Sequence, residues 1–225
     1  MGSSGRLLTL PESSSNTLSY IVLSGPHSGT LLCTERNEVL LDTNIALHNT
    51  IASDIEQEIP LEYQGPHPHP PIDFSSKEIL IIAEQGHLHS ALTALIWAKR
   101  RGMSVKLLHS AKTKRDIGFL DFLSEIQNSP DVDIILAVSS DDKNWTGPTG
   151  SLGKLMLETK IPPVVLLFTE LNQKDIYLEM IPNECEVFLN TSELIKCGKG
   201  ICMSCMYMGH QTCSEGTLTR IRKQR

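Results

Sequence analysis

The chain has 225 residues, 40% apolar and 20% charged, with a formal net charge of -6. These proportions suit a globular protein of one large domain or two modest ones, and the acidic balance gives a nucleic-acid partner no electrostatic support. No stretch approaches the roughly 18 apolar residues of a membrane span, and the opening MGSSGRLLTLPESSSNTL has no apolar core of a secretion signal, so no membrane partner is expected and the expected compartment is the cytoplasm.

MGSSG is read as a cloning scar and kept out of the fold argument. Up to about Tyr63, the apolar runs SYIVLSG, GTLLCT and NEVLLDT are separated by Gly, Pro, Asn and Asp, the pattern of a small antiparallel sheet or barrel fragment. The proline-rich QGPHPHPPIDF, Gln64 to Phe74, is expected to lack regular structure and to mark a boundary, with His67 and His69 incidental to a stiff linker.

From Lys77 the runs EILIIA, SVKLLH, VDIILAV, PVVLLF and EVFLN recur, the first four with helical patterns between them. Leu88, Ala91, Leu92, Leu95 and Ile96 form one helix face, closed by basic Lys99, Arg100 and Arg101 and stopped by Gly102. Continuous apolar strands alternating with helices predict a parallel sheet covered on both faces. The expected organisation is therefore α/β. A shortened β domain and linker occupy 1–74, a nucleotide-binding-like domain 75–192 and a cysteine segment 193–225. SEGTLTRIRKQR reads as a last strand or a tail with solvated basic residues.

Cys197, Cys202, Cys205 and Cys213 are spaced C-x4-C-x2-C-x7-C. In a reducing compartment clustered thiols read as metal or redox sites. The first three match the plant-type [2Fe–2S] spacing, in which a distal cysteine closes the site. Gly198 and Gly200 let the backbone turn tightly and bring N–H groups toward sulfur. Structural zinc, with His210 as a substitute ligand, and free thiols are the alternatives. Met203, Met206 and Met208 are expected to pack around the thiols, and Cys33 and Cys185 to be small buried residues, Cys185 in reserve as a ligand.

An α/β domain running straight into KCGKGICMSC resembles the electron-transfer subunit family of dihydroorotate dehydrogenase B, flavoproteins of the ferredoxin–NADP reductase-like group. The likeness extends from about Ile59 to Cys213. It implies an FAD-binding barrel, an NAD-binding α/β domain and a C-terminal [2Fe–2S] loop held by Cys197, Cys202, Cys205 and Cys213, the last after an unusually short gap. It also implies a dihydroorotate dehydrogenase-like catalytic subunit as partner and a place in pyrimidine biosynthesis. AVSSDDKNWTGPTGSLGKLM resembles the family's D-D-G-S-x-G-x-x-G segment, which puts Asp141, Asp142, Gly147 and Gly150 in cofactor-binding positions, and Gly86 is what remains of the glycine-rich loop after the first strand.

The chain departs from that pattern in three places. In AEQGHLH, Glu84 puts a carboxylate where phosphates would sit, and His87 and His89 read as solvated turn residues. In FTELN, Thr169 and Glu170 stand where the family has Cys-Gly. Both changes argue against ordinary NAD binding. The flavin motif Arg-Pro-x-Ser has no clear counterpart, Arg36 being the only arginine of its region after Arg6, which leaves FAD open. Trp145 either stacks on a ring or partner or caps its own loop. No G-x-S-x-G elbow or phosphate-binding P-loop occurs, so no catalytic residue is assigned. The expected function is electron transfer through an iron–sulfur centre. The alternative is a zinc-stabilised, non-catalytic interaction module on a worn reductase fold.

Overall fold

Alternation in the first third of the chain produces an antiparallel sheet. A computed structural model of the protein describes residues 5–9, 19–23, 29–34, 38–42, 45–57, 59, 63–69, 72–139, 142–197 and 201–221. Strands β1 (Gly5–Thr9), β2 (Ser19–Leu23), β3 (Gly29–Cys33), β4 (Glu38–Asp42) and β5 (Tyr63–Pro68) form one sheet in the order β1-β4-β3-β2-β5, with helix α1 (Ala46–Glu56) between the last two strands in sequence. Because strand side chains point alternately to the two faces, Ile21, Leu23, Leu31, Cys33, Val39 and Leu41 pack with Ile51 and Ala52 of α1. Tyr20, Val22, Leu32 and Leu40 turn the other way, into the core of the following domain. β1 begins inside the segment set aside as a scar.

The proline-rich stretch corrects the sequence reading. Residues 63–68 form a strand that pairs with β2, Pro68 opposite Ser19 and His67 opposite Tyr20, with a register shift between Tyr20 and Val22. An edge strand can carry prolines, since their missing N–H groups face away from the ladder. Gly65, at φ +110, sits so close to the Tyr20 carbonyl that a Cβ would meet it at 2.9 Å.

The second sheet is built from the apolar runs: β6 (Glu78–Ala83), β7 (Ser104–Ala111), β8 (Val132–Val138), β9 (Val164–Phe168) and β10 (Glu186–Asn190), all parallel, with β13 (Leu218–Ile221) antiparallel on the outer side of β10. The order is β13-β10-β9-β6-β7-β8. Helices α2 (Leu88–Arg100), α3 (Leu120–Gln127), α4 (Leu152–Leu157) and α5 (Lys174–Leu178) are the crossovers. Ile79, Ile81 and Ala83 face α2 and α3, whereas Leu80 and Ile82 face α4 and α5, the doubly wound arrangement that requires strands apolar on both sides. The predicted stripe on α2 is buried, Ile96 partly, and Trp97 joins the core under the Arg101 guanidinium at 4.9 Å. Gly102 follows the helix, its N–H donating to the Lys99 carbonyl at 2.9 Å.

The two sheets share one core through Tyr20, Val22, Leu32 and Leu40, and Arg100 pairs with Glu38 at 3.1 Å. No helix among the described residues is long and apolar enough to cross a membrane.

Candidate functional site

Two regions concentrate the chemistry. The first is the cysteine segment. After Cys205, β11 (Met206–Tyr207) and β12 (His210–Gln211) form a hairpin whose turn is Met208-Gly209, both at positive φ (49° and 86°). Two consecutive left-handed residues make the tight turn that matches strand twist, and glycine takes that geometry without strain. The hairpin returns the chain so that the Thr212 N–H donates to the Cys205 carbonyl at 3.1 Å, and helix α6 (Thr212–Glu215) starts there. The short x7 gap is thereby closed: the Cys205 and Cys213 sulfurs, both buried, lie 3.0 Å apart.

Threonines hold this turn against the sheet. The Thr191 hydroxyl meets Thr212 Oγ1 at 3.2 Å, Thr219 Oγ1 at 3.0 Å and the Thr217 carbonyl at 3.1 Å. Across the barrel fragment, Tyr20 donates its hydroxyl to the Cys213 carbonyl at 2.5 Å. Burial raises the Tyr20 phenol well above its ordinary value, and charge on Cys213, Cys205 and Cys197 adds to the effect, so these three thiols lie within electrostatic reach of one ring. Cys197 is half-buried, whereas Cys202 is exposed with its sulfur 2.9 Å from Ser204 Oγ. Gly198 and Gly200 lie outside the described residues. Among the described residues no group of three or more His, Cys, Asp or Glu side chains gathers tightly enough to hold a metal ion. The fold thus brings the Cys205 and Cys213 thiols together, keeps Cys197 within electrostatic reach of the same Tyr20 ring and leaves Cys202 exposed.

Several expectations change here. Met203, Met206 and Met208 are exposed rather than packed around sulfur: Met206 and Met208 lie on the hairpin and its turn, and Met203 precedes it at a positive φ of 56°. His69 is no incidental linker residue: it is buried and its Nε2 accepts the Leu218 N–H at 3.0 Å, tying the end of β5 to β13. His210 pairs with Glu215 at 2.8 Å. Cys33 is fully buried, and Cys185 is half-buried with its thiol toward the Pro162 carbonyl.

The second region is the crevice at the C-terminal ends of β6 and β9, where strand order reverses and doubly wound sheets bind nucleotides. Here the chain fills its own site. Glu84 accepts from the Thr169 hydroxyl, from Tyr177 OH at 3.3 Å and from the Glu170 N–H at 3.4 Å. Burial and the neighbouring Glu84 carboxylate push the Tyr177 phenol up to about 12. His87 Nε2 lies 3.3 Å from Glu170, and the Leu171 N–H donates to Glu193, whose carboxyl is raised chiefly by burial. Glu84 thus places a fixed carboxylate, with the Thr169, Tyr177 and Glu170 donors committed to it, at the turn where a dinucleotide's phosphates would approach. Removing that acceptor with Glu84→Ala should lower stability by about 1–3 kcal/mol, measured by urea unfolding. An unchanged midpoint would show that water serves Thr169 and Tyr177 equally well.

Gly86 lies in the turn before α2 at φ +91 with open space around it. Asp141 lies outside the described residues. Asp142 accepts the Lys114 N–H at 2.8 Å and the Asn144 N–H at 2.9 Å, bonds that hold its carboxyl below the usual range, the Asn144 bond contributing most. Gly147 rests under the Trp145 indole, which donates to the Pro148 carbonyl at 2.7 Å, and the Gly150 N–H donates to Val138. Trp145 therefore caps its loop. Between these regions a cleft of about 520 Å³ runs past His48, His87, His89, Asn190, Glu193 and Lys196. His89 packs edge-on against His48, ring centroids 4.4 Å apart, rather than standing in solvent. Proximities such as these carry no local sequence signal.

No protein-family model and no curated protein matches the chain. Solved structures do. The NADH-dependent reduced ferredoxin–NADP oxidoreductase structure is 13% identical over 96% of this chain and 82% of that one, with a TM-score of 0.67. The ferredoxin reductase of carbazole 1,9a-dioxygenase is also 13% identical, over 82% of this chain and 63% of its own, with a TM-score of 0.54. The flavohem-like FAD/NAD-binding domain of nitric oxide dioxygenase from Vibrio cholerae O1 biovar El Tor is 8% identical over 82% and 92%, with a TM-score of 0.56. At such identities the likeness shows the fold: a ferredoxin reductase-like pairing of an antiparallel sheet with a nucleotide-binding α/β domain.

Proposed function

We propose that the chain is an electron-transfer iron–sulfur protein in which Cys197, Cys202, Cys205 and Cys213 hold a [2Fe–2S] cluster. The observation that carries this reading is the 3.0 Å approach of the buried Cys205 and Cys213 sulfurs, made by a hairpin and a threonine network on a ferredoxin reductase-like fold. When bound, such a cluster supplies one-electron chemistry. The chain's own residues hold the thiols, exclude water from two of them and present the exposed Cys202 side of the segment to solvent. The partner in this reading is a dehydrogenase catalytic subunit, and the dihydroorotate dehydrogenase B resemblance makes a dihydroorotate dehydrogenase-like subunit and pyrimidine biosynthesis the first to test. With the phosphate turn filled by Glu84, no step through NAD is derived, and another protein supplies the electrons.

The same filled turn favours a second reading, a zinc-held interaction module. Iron, zinc and acid-labile sulfide should be counted on anaerobically purified protein, with spectra before and after dithionite. About two irons and two sulfides per chain are expected, and flavin absorbance in the same spectrum reports FAD. One zinc without sulfide would overturn electron transfer in favour of the module.

A further inference from the structure

The Cys205 and Cys213 sulfurs are eight residues apart in sequence and 3.0 Å apart in space. Their backbones are fixed where they meet: the Thr212 N–H donates to the Cys205 carbonyl at 3.1 Å, and the Cys213 carbonyl accepts from the Tyr20 hydroxyl. A disulfide joins sulfurs about 2.05 Å apart, so a small side-chain rotation closes this pair. Neither sulfur is open to a bulky oxidant, Cys205 being 1% and Cys213 9% exposed. Cys202 is exposed and begins a Cys-x-x-Cys pair with Cys205, the arrangement in which an accessible thiol meets the oxidant and a neighbouring one resolves it. The Cys202 sulfur lies 2.9 Å from Ser204 Oγ, a hydroxyl within reach of a thiolate formed there.

We propose that Cys205 and Cys213 form a reversible disulfide in the metal-free chain, with Cys202 as the entry thiol and a low-molecular-weight disulfide, such as oxidised glutathione, as the oxidant. The inference goes beyond the cluster reading, since it needs no metal. The Cys202 thiolate attacks glutathione disulfide: the S–S bond breaks, a Cys202–glutathione bond forms and one glutathione thiolate leaves. Cys205 displaces the second glutathione from Cys202. Cys213 then displaces Cys202 from Cys205, and Cys202 returns to a thiol. In sum two protein thiols give up two protons and two electrons, and one glutathione disulfide becomes two glutathiones. The oxidised pair has no thiolate to offer a metal, so this bond decides whether the segment can load one.

The test uses the full chain, reduced, stripped of metal with a chelator and incubated anaerobically with glutathione disulfide. Remaining thiols are then alkylated and the chain is cleaved at methionine in acid. Because Met203 and Met206 lie between them, Cys202, Cys205 and Cys213 fall on three separate peptides, and the mass of a linked pair names its partners. The expected product is the Cys205–Cys213 pair, about 2 Da below the sum of its two peptides, with Cys33 and Cys185 alkylated as thiols. Cys202→Ser should form the same pair about tenfold more slowly. A different linked pair in the native chain, or glutathione adducts with no link, overturns the proposal, and an unslowed Cys202→Ser overturns the entry role. A metal count on the reduced chain judges the cluster reading separately: absent iron leaves the linked pair standing, and a missing link leaves the iron count as it is.

Discussion

Between pH 6.5 and pH 4 the protein should lose several kcal/mol of stability, and the loss should follow its buried imidazoles. Burial pushes His48 down to about 4, and His109 likewise falls to about 4 against a weaker opposing hydrogen bond to the Ala83 carbonyl. His89 is lowered further in the same direction, by burial first and then by His48 and His87. In the unfolded chain each ring returns to about 6.5. Below that value the unfolded state binds protons that the folded state refuses, so stability rises with pH across the window. It is complete above about 6.5 and lost as pH falls toward 4. A displacement of this size is worth about 3 kcal/mol per group, and His48 with His109 together reach a large part of the roughly 5–15 kcal/mol that holds a domain folded. Urea midpoints at pH 7, 5.5 and 4.5 test this. His48→Asn should flatten the slope, and a midpoint constant from pH 6.5 to 4.5 would refute the argument.

Replacing either member of the buried sulfur pair should abolish metal loading. Cys205→Ser and Cys213→Ser each remove a thiolate from the 3.0 Å pair, and hydroxyls are poor ligands for iron or zinc. Iron per chain should fall from about two to background, with a lower melting temperature because metal binding contributes directly to folding free energy. Cys185→Ser, whose half-buried thiol faces the Pro162 carbonyl, should load as the native chain does. The Cys202→Ser variant is the most informative. That thiol is exposed and lies against Ser204; if it is a ligand the variant loses iron, and full loading would mean that a different fourth group closes the site. Equal iron in the Cys205→Ser and native proteins would exclude the thiol pair altogether.

Much of the architecture was legible because its causes are local. After Glu78, ILIIA is buried throughout, as is VVLLF, and a run that is apolar at every position has few other places to go; VDIILAV, at the sheet edge, exposes Asp133. The α2 stripe and its Gly102 stop follow from a 3.6-residue period and one backbone conformation. The proline-rich stretch misled for a local reason too. Proline does forbid a central strand, but β5 lies at an edge, and edge status depends on what β2 pairs with and is not written in the stretch itself. The methionines misled because their number beside the thiols says nothing of direction, which the Met208-Gly209 turn and the left-handed backbone at Met203 decide.

Composition, periodicity and cysteine spacing by themselves determined an antiparallel sheet followed by a doubly wound α/β domain and a thiol-rich C-terminal segment, and the family resemblance pointed to Glu84 as a carboxylate in place of a phosphate-binding glycine. These are properties of neighbours in the chain, set by backbone geometry and side-chain type. Only the tertiary structure decided that Cys205 and Cys213 converge while Cys202 turns away, that Glu84 gathers Thr169, Glu170 and Tyr177 about itself, and that Tyr20 and His69 fasten the cysteine segment to the barrel fragment. The physical reason is separation. Residues 85 to 193 positions apart are joined there by single hydrogen bonds, and the energy that makes each partner available comes from the packing of two sheets into one core rather than from any pattern along the chain.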